Sequence, residues 1–382
     1  MQQKRQSLDP VQLARAFAMI AVLLVHSSST GATSLTPDSI LLPIYTFFGS
    51  AGKLGTPTFI MLSAFVLFYN YYPRPLDRQL IARFYSKRLL YILLPYVVFS
   101  TFYFVLNNRL FSTSLIDQML VNDYVNDLLY GKAHPHLYFV FISVQLYLLF
   151  PFIMLAIKKY SYLRKNAWWI GIILQWIWVI ANKNYFQIEM KGSISLSYFS
   201  YYFVGAYLGI YYEDILRQFK DDKKRQTYVT SLLTAVFAFM ALYVGYMYMI
   251  SLGLEGEIIE AVPSIVYSYL YEFSWANYTL LAGLTLFLLA HWLNNKFTIK
   301  TKRFFMELGA TSFGIYLIHP ALLLVMRTYL PDTTPLIFNI WQVITFLVVG
   351  FGSWIIVRVI YFITPYYWVL FGKMSGPKYN KR

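Results

Sequence analysis

Long apolar stretches alternate with short polar loops along the whole chain. A membrane-spanning α-helix needs about 20 predominantly apolar residues, and ten stretches reach or approach that length. They lie near residues 11–29, 54–72, 89–106, 137–157, 167–182, 197–212, 228–252, 273–293, 305–327 and 338–364. The pattern predicts an all-α protein, a polytopic membrane helix bundle of about ten transmembrane helices, in which the fifth and sixth spans are short.

Most lysines and arginines lie on one side of the predicted membrane. Of the 32 basic residues, 24 fall in the two terminal segments and in the loops that alternate spans place on the same side. Acidic residues such as Asp123 and Glu257 fall in the opposite loops. Because cytoplasmic loops carry an excess of Lys and Arg, both termini are predicted to be cytoplasmic. We expect a single transmembrane domain over residues 1–372, followed by a short basic cytoplasmic tail, 373–382.

The composition supports a membrane location and excludes several kinds of site. The chain is 58% hydrophobic and 13% charged, whereas soluble proteins carry about 25% charged residues. It has no cysteine, which excludes disulfides, thiol nucleophiles and cysteine–metal sites, and its five histidines predict no metal site. The net charge of +15 follows the topology, so the lipid bilayer is an expected partner and nucleic acid is not.

The first span carries ionisable residues where a bilayer tolerates them least. Ten residues separate Arg15 from His26, which on an α-helix places them within roughly 20° of each other and about 16 Å apart along the axis. A charge inside a spanning helix costs at least about 2.5 kcal/mol and normally faces the bundle interior or a watery cavity. The pair is therefore a functional-site candidate. In the alternative, Arg15 extends to the inner interface and His26 is a satisfied polar group near the outer one.

Three further stretches place polar groups within or beside spans. They are LGTPTFIMLSAF (54–65) with Ser63, FYSKRLLYILLPY (84–96) with Lys87 and Arg88, and TSFGIYLIHPALL (311–323) with His319 before Pro320. A proline inside a helix leaves one carbonyl without its usual donor and bends the helix. His319 therefore has a structural interpretation, in which its imidazole bonds to the helix backbone, as well as a functional one.

Together these stretches resemble the acyltransferase-3 family of integral membrane proteins that modify bacterial surface carbohydrates. The resemblance covers essentially the whole chain. Its most specific motifs are an arginine and a histidine ten residues apart, Arg15 and His26, and the SFGIYLIHP stretch, 312–320. It also includes Arg88 ahead of Pro95, and the HLYF stretch at 136–139. Within the family, the chain looks closest to the IcaC-type proteins of poly-N-acetylglucosamine loci in Gram-positive bacteria.

The resemblance implies an acyltransferase of the cell membrane. Such an enzyme takes acyl-CoA as a substrate, binds no cofactor, and acylates a hydroxyl of a surface glycan outside the cell. The residues expected to be catalytic are His26 and Arg15. Those expected to bind the donor are Arg15, Arg88, Lys87 and Arg83. Those expected to orient the acceptor or to support the catalytic imidazole are His319, His136, Ser63 and Tyr316.

Two positions depart from the family pattern. Ala64 stands where the family usually has glycine, which is a mild change. Tyr91 stands where a second arginine, three residues after Arg88, is usual. This weakens the expected donor site, and Arg83 or Lys87 is the candidate replacement for the missing charge.

Two other functions remain open from the sequence. A ten-span bundle with intramembrane Arg and His and many aromatic side chains can conduct a sugar chain, so the main alternative is a polysaccharide exporter. The sequence lacks the inverted repeats and paired broken helices that are typical of secondary transporters, which favours acyl transfer. The third interpretation is a scaffold within a polysaccharide synthase complex.

Overall fold

The computed structural model describes residues 8–111, 118–330 and 334–376 of the chain. Within these residues every regular element is helical and none is a strand. The α-helices are, in chain order, α1 (Asp9–Ser34), α2 (Leu42–Ala51), α3 (Gly55–Tyr71), α4 (Arg78–Arg88), α5 (Leu94–Phe111), α6 (Gln118–Tyr130), α7 (Tyr138–Lys159), α8 (Ser161–Lys165), α9 (Ala167–Ala181), α10 (Phe199–Ile210), α11 (Tyr212–Gln218), α12 (Asp222–Ser251), α13 (Glu255–Ala261), α14 (Ser264–Lys296), α15 (Ile299–Thr328), α16 (Pro335–Ile363) and α17 (Tyr367–Phe371). Most of the predicted tail, 373–382, lies outside the described residues.

Eight helical segments of the described residues are long and apolar enough to cross a membrane. They are Asp9–Ser34, Leu42–Tyr71, Arg78–Asn107, Tyr138–Lys159, Asp222–Ser251, Ser264–Lys296, Ile299–Thr328 and Pro335–Ile363. Each corresponds to one predicted span, so the prediction of an all-α, multi-pass membrane protein is confirmed.

The predicted fifth and sixth spans also form helices, but short ones. These are α9, with 15 residues, and α10, with 12. At 1.5 Å per residue they measure about 23 and 18 Å, against a hydrocarbon core of about 30 Å. Neither helix is therefore among the segments long enough to cross the membrane.

The chain divides into two compact units, which are described separately. The first, here called the α1 unit, comprises Met1–Phe59, Glu213–Ile356 and Gly376–Arg382. The second, here called the α7 unit, comprises Ile60–Tyr212 and Val357–Ser375.

In the α1 unit, α1 packs against α2, α14 and α15. Close approach depends on glycines that face its backbone. A Cβ added at Gly55 would lie 2.9 Å from the carbonyl oxygen of Ala18, and one added at Gly309 would lie 2.0 Å from that of Gln12. Small residues let helix backbones approach each other within a membrane. Since α1 is enclosed in this way, Leu13, Ala14, Ala16, Ala18 and Met19 are fully buried.

The helices α1 and α15 run parallel. Asp9 and Lys302 form an ion pair of 3.2 Å near their N-termini, and Arg327 bonds to Thr30 near their C-termini. Contacts therefore advance along both helices in the same direction. These are the first and ninth predicted spans, which an alternating topology also makes parallel.

In the α7 unit, α10 packs closely against α3 and α9. Gly205 and Gly209, four residues apart, lie on one face of α10. Added Cβ atoms there would lie 2.2 Å from the carbonyl oxygen of Met61 and 2.5 Å from that of Phe65. The two glycines hold α10 on α3 and thereby set the position of the tyrosines on the turn before them.

Candidate active site

The imidazole rings of His26 and His319 face each other within the α1 unit. Their ring centroids are 5.1 Å apart and their planes make an angle of 59°. His26 is half-buried on α1, and His319 is fully buried on α15. Two histidines that are 293 positions apart in the sequence are therefore brought together by the parallel packing of α1 and α15. Both lie in helices long and apolar enough to span the membrane.

The orientation of His319 follows from the proline after it. Pro320 has no N–H, so the carbonyl of Tyr316 lacks the donor that a helix normally supplies four residues later. The Nδ1 atom of His319 lies 2.8 Å from this carbonyl oxygen and 3.2 Å from that of Ile315. Because a carbonyl only accepts, Nδ1 donates, and a neutral His319 ring carries its lone pair on Nε2. The structural role considered for His319 is thus observed, and it fixes the tautomer that a functional role would use.

Arg327 holds the end of α1 that carries His26. From the last turn of α15, its guanidinium donates to the backbone oxygen of His26 (3.1 Å), to Ser29 Oγ (2.6 Å) and to Thr30 Oγ1 (3.0 Å). The Ser29 hydroxyl itself donates to the His26 oxygen, at 2.8 Å. Arg327 was not among the sequence candidates. Its position in the sequence could have suggested a role, because Arg327 lies at the predicted outer end of a span, whereas most basic residues lie on the opposite, predicted cytoplasmic side.

Arg15 and Tyr316 also belong to this unit. Arg15 is half-buried, and it lies with His26 on the unbroken helix α1, as the predicted common face requires. Tyr316 is 3% exposed, and its ring centroid lies 5.7 Å from that of His319. The α1 unit thus holds four of the predicted site residues: Arg15, His26, Tyr316 and His319.

The predicted donor-binding residue Arg88 lies in the α7 unit, at the end of α4. That helix begins after Asp77, whose carboxylate accepts the backbone N–H of Leu80 at 2.6 Å. A π-helical turn, Leu89–Leu93, follows Arg88 and leads into α5. Such turns are frequent at functional sites.

Two aromatic rings lie against the Arg88 guanidinium. Its Cζ atom lies 4.7 Å from the ring centroid of Tyr147 and 5.3 Å from that of Phe84. The neighbouring candidates Arg83 and Lys87 are exposed on the surface of α4. Tyr91, which replaces the usual second arginine, packs against Trp368 with ring centroids 6.0 Å apart. Arg88 is therefore the half-buried cation of this segment, while its basic neighbours lie at the surface.

The remaining predicted residues, His136 and Ser63, are also in the α7 unit. His136 is 1% exposed, and its Nδ1 lies 2.9 Å from Nδ1 of His134. The buried ring of Tyr103 lies against both imidazoles, with centroid distances of 4.5 and 4.9 Å. Ser63 is half-buried on α3. His134 lies two residues before His136, in the sequence HPH. It is therefore a partner of His136 that the HLYF motif, which begins at His136, did not include.

These observations define a multi-pass membrane protein with paired imidazoles inside its spanning helices. In the described part of the chain, no group of three or more His, Cys, Asp or Glu residues is placed to hold a metal ion. The chain belongs to an acyltransferase family: the Acyl_transf_3 model, described as an acyltransferase domain, matches residues 8–362. This confirms the family that the sequence motifs indicated.

Curated relatives of the chain are named for polysaccharide export. A protein of Staphylococcus aureus (strain MRSA252), named "Probable poly-beta-1,6-N-acetyl-D-glucosamine export protein", is 28% identical over 171 residues. A protein of the same name from strain MSSA476 is 27% identical over 172 residues. Each match covers 42% of this chain and 45% of the relative, so less than half of either relative's length is matched. No solved structure gives a significant match.

Proposed function

We propose that this protein moves an acyl group from acyl-CoA in the cytoplasm to a hydroxyl of a surface polysaccharide outside the cell. The observation that carries the proposal is the His26–His319 pair inside two packed spanning helices of an acyltransferase family member. An imidazole titrates near neutral pH, so it can accept and return a proton during transfer. The relatives' names, which refer to a poly-N-acetylglucosamine polymer, support a glycan as the acceptor.

His26 is the general base in this proposal. One of its ring nitrogens takes the proton of the acceptor hydroxyl as the hydroxyl oxygen attacks the thioester carbonyl carbon. The carbon–sulfur bond then breaks, and the leaving thiolate takes the proton back from the imidazolium. The products are an acyl ester on the glycan and the free CoA thiol. A covalent route, in which His26 carries the acyl group between donor and acceptor, uses the same residue.

His319 is a positioning residue in the same scheme. Its Nδ1–H is held by the Tyr316 carbonyl, so its Nε2 lone pair has a fixed direction. A neighbouring base with a fixed tautomer limits the orientations that the His26 ring can adopt. This gives the buried His-Pro sequence a role in catalysis in addition to its role in the helix.

The donor's phosphates require cations, and arginine binds phosphate through strong charge-assisted hydrogen bonds. Within the α7 unit we assign this role to Arg88, with contributions from the surface residues Lys87 and Arg83; within the α1 unit the candidate cation is Arg15. The assignment includes a cytoplasmic position for both termini, which follows from the distribution of basic residues. His136 and Ser63 remain candidates for supporting the acceptor.

Export of a polysaccharide is the second candidate function, because the curated relatives carry that name. The two functions differ in what happens to the polymer when the protein is absent. Loss of an acyltransferase leaves polymer outside the cell without acyl esters, whereas loss of an exporter traps polymer inside. A scaffold in a polysaccharide synthase complex would instead lower the amount of polymer made.

The test of the proposal is acyl transfer by the purified protein in liposomes. Radiolabelled acetyl-CoA and succinyl-CoA are supplied outside, with a glycan acceptor, to wild type, His26→Ala and Arg15→Ala. His291→Gln is the matched control, because His291 lies on another spanning helix of the same unit. Its Nδ1 atom contacts the backbone oxygen of Phe287, on the same helix. We expect label on the acceptor with wild type and His291→Gln, and none with the other two. Absence of both binding and transfer in the wild type would favour export.

A further inference from the structure

The connection between α6 and α7, residues 131–137, holds two imidazoles in direct contact within the α7 unit. Nδ1 of His134 lies 2.9 Å from Nδ1 of His136, a separation at which the two nitrogens share a hydrogen bond. His136 is 1% exposed, whereas His134 is only half-buried. One ring of the pair is thus enclosed by protein, and the other is partly open to the surroundings.

This contact limits the number of protons that the pair can carry. A hydrogen bond between two Nδ1 atoms needs a hydrogen on one and a lone pair on the other. The neutral pair meets this requirement. A pair with one added proton meets it too, and both Nε2 atoms then carry a hydrogen, whichever ring holds the charge. A second added proton places a hydrogen on both Nδ1 atoms, so the contact breaks and the two positive charges repel each other.

The neighbouring elements hold the two rings together. The buried ring of Tyr103, on α5, lies against both imidazoles. Asn107, one turn further along α5, donates to the backbone oxygen of Ala133 at 3.1 Å. The connection begins at Gly131, whose φ is +70° and whose added Cβ would lie 2.9 Å from Cβ of Phe141. The rings therefore separate only if this connection moves.

The other titratable groups near the pair lie on α5, on α6, in the connection and at the start of α7. They are Tyr96 and Tyr103; Asp123, Tyr124, Asp127 and Tyr130; Lys132; and Tyr138. The tyrosines are uncharged near neutral pH. Burial and the charge of Asp123 raise the pKa of Asp127, so Asp127 also takes up a proton on acidification. An experiment on the histidines must therefore separate their titration from that of Asp127.

We propose that His134 and His136 form a pH-sensitive contact that holds the α6–α7 connection in place. The contact persists when the pair binds one proton, and it breaks when the pair binds a second. The connection lies on the predicted outer side of the membrane, so the pH that acts on it is that of the medium outside the cell. This inference goes beyond the proposed acyl transfer and does not depend on it.

The first test is solid-state NMR of the full-length protein in lipid, with ¹⁵N-labelled histidine rings. The chain has five histidines, and single substitutions assign their signals. In the neutral pair, we expect a hydrogen on one Nδ1 atom and a lone pair on the other. On acidification the pair should take up protons in two steps, separated by more than about one pH unit because the rings interact. A hydrogen on Nε2 alone in both rings of the neutral pair would overturn the inference.

The second test is hydrogen exchange of the connection, measured by mass spectrometry and corrected for the intrinsic effect of pH on exchange. The backbone N–H of Lys132 donates to the Asp127 oxygen at 2.8 Å, and that of Leu137 donates to the His134 oxygen at 2.9 Å. Both amides are therefore protected while the connection is in place. In the wild type, we expect this protection to be lost below the second titration step.

The variants separate the histidine pair from other acid-sensitive groups. His134→Asn keeps an amide close to the position of Nδ1 but cannot titrate, so protection should persist in acid. His136→Asn makes the same test from the other ring and should give the same result. Asp127→Asn and His291→Gln are the matched controls, and both should lose protection at the same pH as the wild type. Protection at neutral pH shows that each variant is folded.

Two further results would contradict the inference. The first is loss of protection in acid that persists in both His134→Asn and His136→Asn, or that disappears in Asp127→Asn. The second is binding of added Zn²⁺ to both Nδ1 atoms at neutral pH, because the pair would then be part of a metal site and not a proton-sharing contact.

Discussion

Arg327 donates a hydrogen bond to the backbone oxygen of His26 across 3.1 Å, from α15 to α1. The same guanidinium also donates to Ser29 and Thr30. It therefore fixes this turn of α1 both in its rotation about the helix axis and in its position along α15. The imidazole that we propose as the base belongs to that turn. The geometry of the His26–His319 pair therefore depends on a residue that touches neither ring.

Replacing Arg327 by Gln should lower acyl transfer by about tenfold or more. The change removes hydrogen bonds from a charged donor, which are typically worth about 1.5–3 kcal/mol, and frees the His26 turn to shift. We expect kcat to fall while the KM for the donor stays near wild type, as measured by radiolabel transfer in liposomes. Lys302→Gln removes a cation from the same helix, at the partly exposed ion pair with Asp9, and should retain most activity. Equal losses in the two variants would mean that Arg327 acts only through the general stability of α15.

Pro320→Ala should make the protein more stable and less active. Alanine supplies the N–H that the Tyr316 carbonyl lacks, and it removes a residue that costs about 3 kcal/mol in a helix interior. The new backbone N–H would then compete with His319 Nδ1 for the Tyr316 carbonyl, and the tautomer of His319 would no longer be fixed. Thermal unfolding and transfer measured on the same preparation test this, and a lowered Tm with normal transfer would contradict it.

Gly309→Ala should destabilise the protein by about 2 kcal/mol or more, in the range expected for overpacking. The new methyl would lie 2.0 Å from the Gln12 carbonyl oxygen, so α15 must move away from α1. Gly245→Ala is the control, since a Cβ there meets no atom within 4 Å and alanine favours the helix by up to about 1 kcal/mol. Thermal unfolding in detergent should move in opposite directions for the two variants. A neutral Gly309→Ala would show that the α1–α15 contact is looser than the structure indicates.

The predicted orientation can be tested with single cysteines, because the natural chain has none. Lys223 is exposed in the first turn of α12, and Gly256 is exposed on α13, just beyond the C-terminal end of α12. In intact cells, a membrane-impermeant maleimide should label Gly256→Cys and should label Lys223→Cys only after permeabilisation. The cysteine-free wild type gives the background. Labelling of Lys223→Cys in intact cells would place the basic loops outside and would reject cytoplasmic termini.

Sequence alone was sufficient for the eight long apolar helical segments and for their membrane character. Hydropathy and helix formation depend on residues that are near each other in the chain, so the spans follow from local composition. The common face of Arg15 and His26 is also local, because a continuous helix fixes the angle between positions eleven apart. The family could be identified for the same reason, since its motifs are short and contiguous.

Packing between distant segments determined which of these residues contact each other. The meeting of His26 with His319 and the bond of Arg327 to the backbone of His26 join residues 293 and 301 positions apart. No periodicity in the sequence encodes which faces of two helices will touch. Close contacts at Gly309 and Gly205 set those faces, and they depend on the whole arrangement of helices. The sequence thus determined which residues are unusual for a membrane, and only the tertiary structure determined which of them meet.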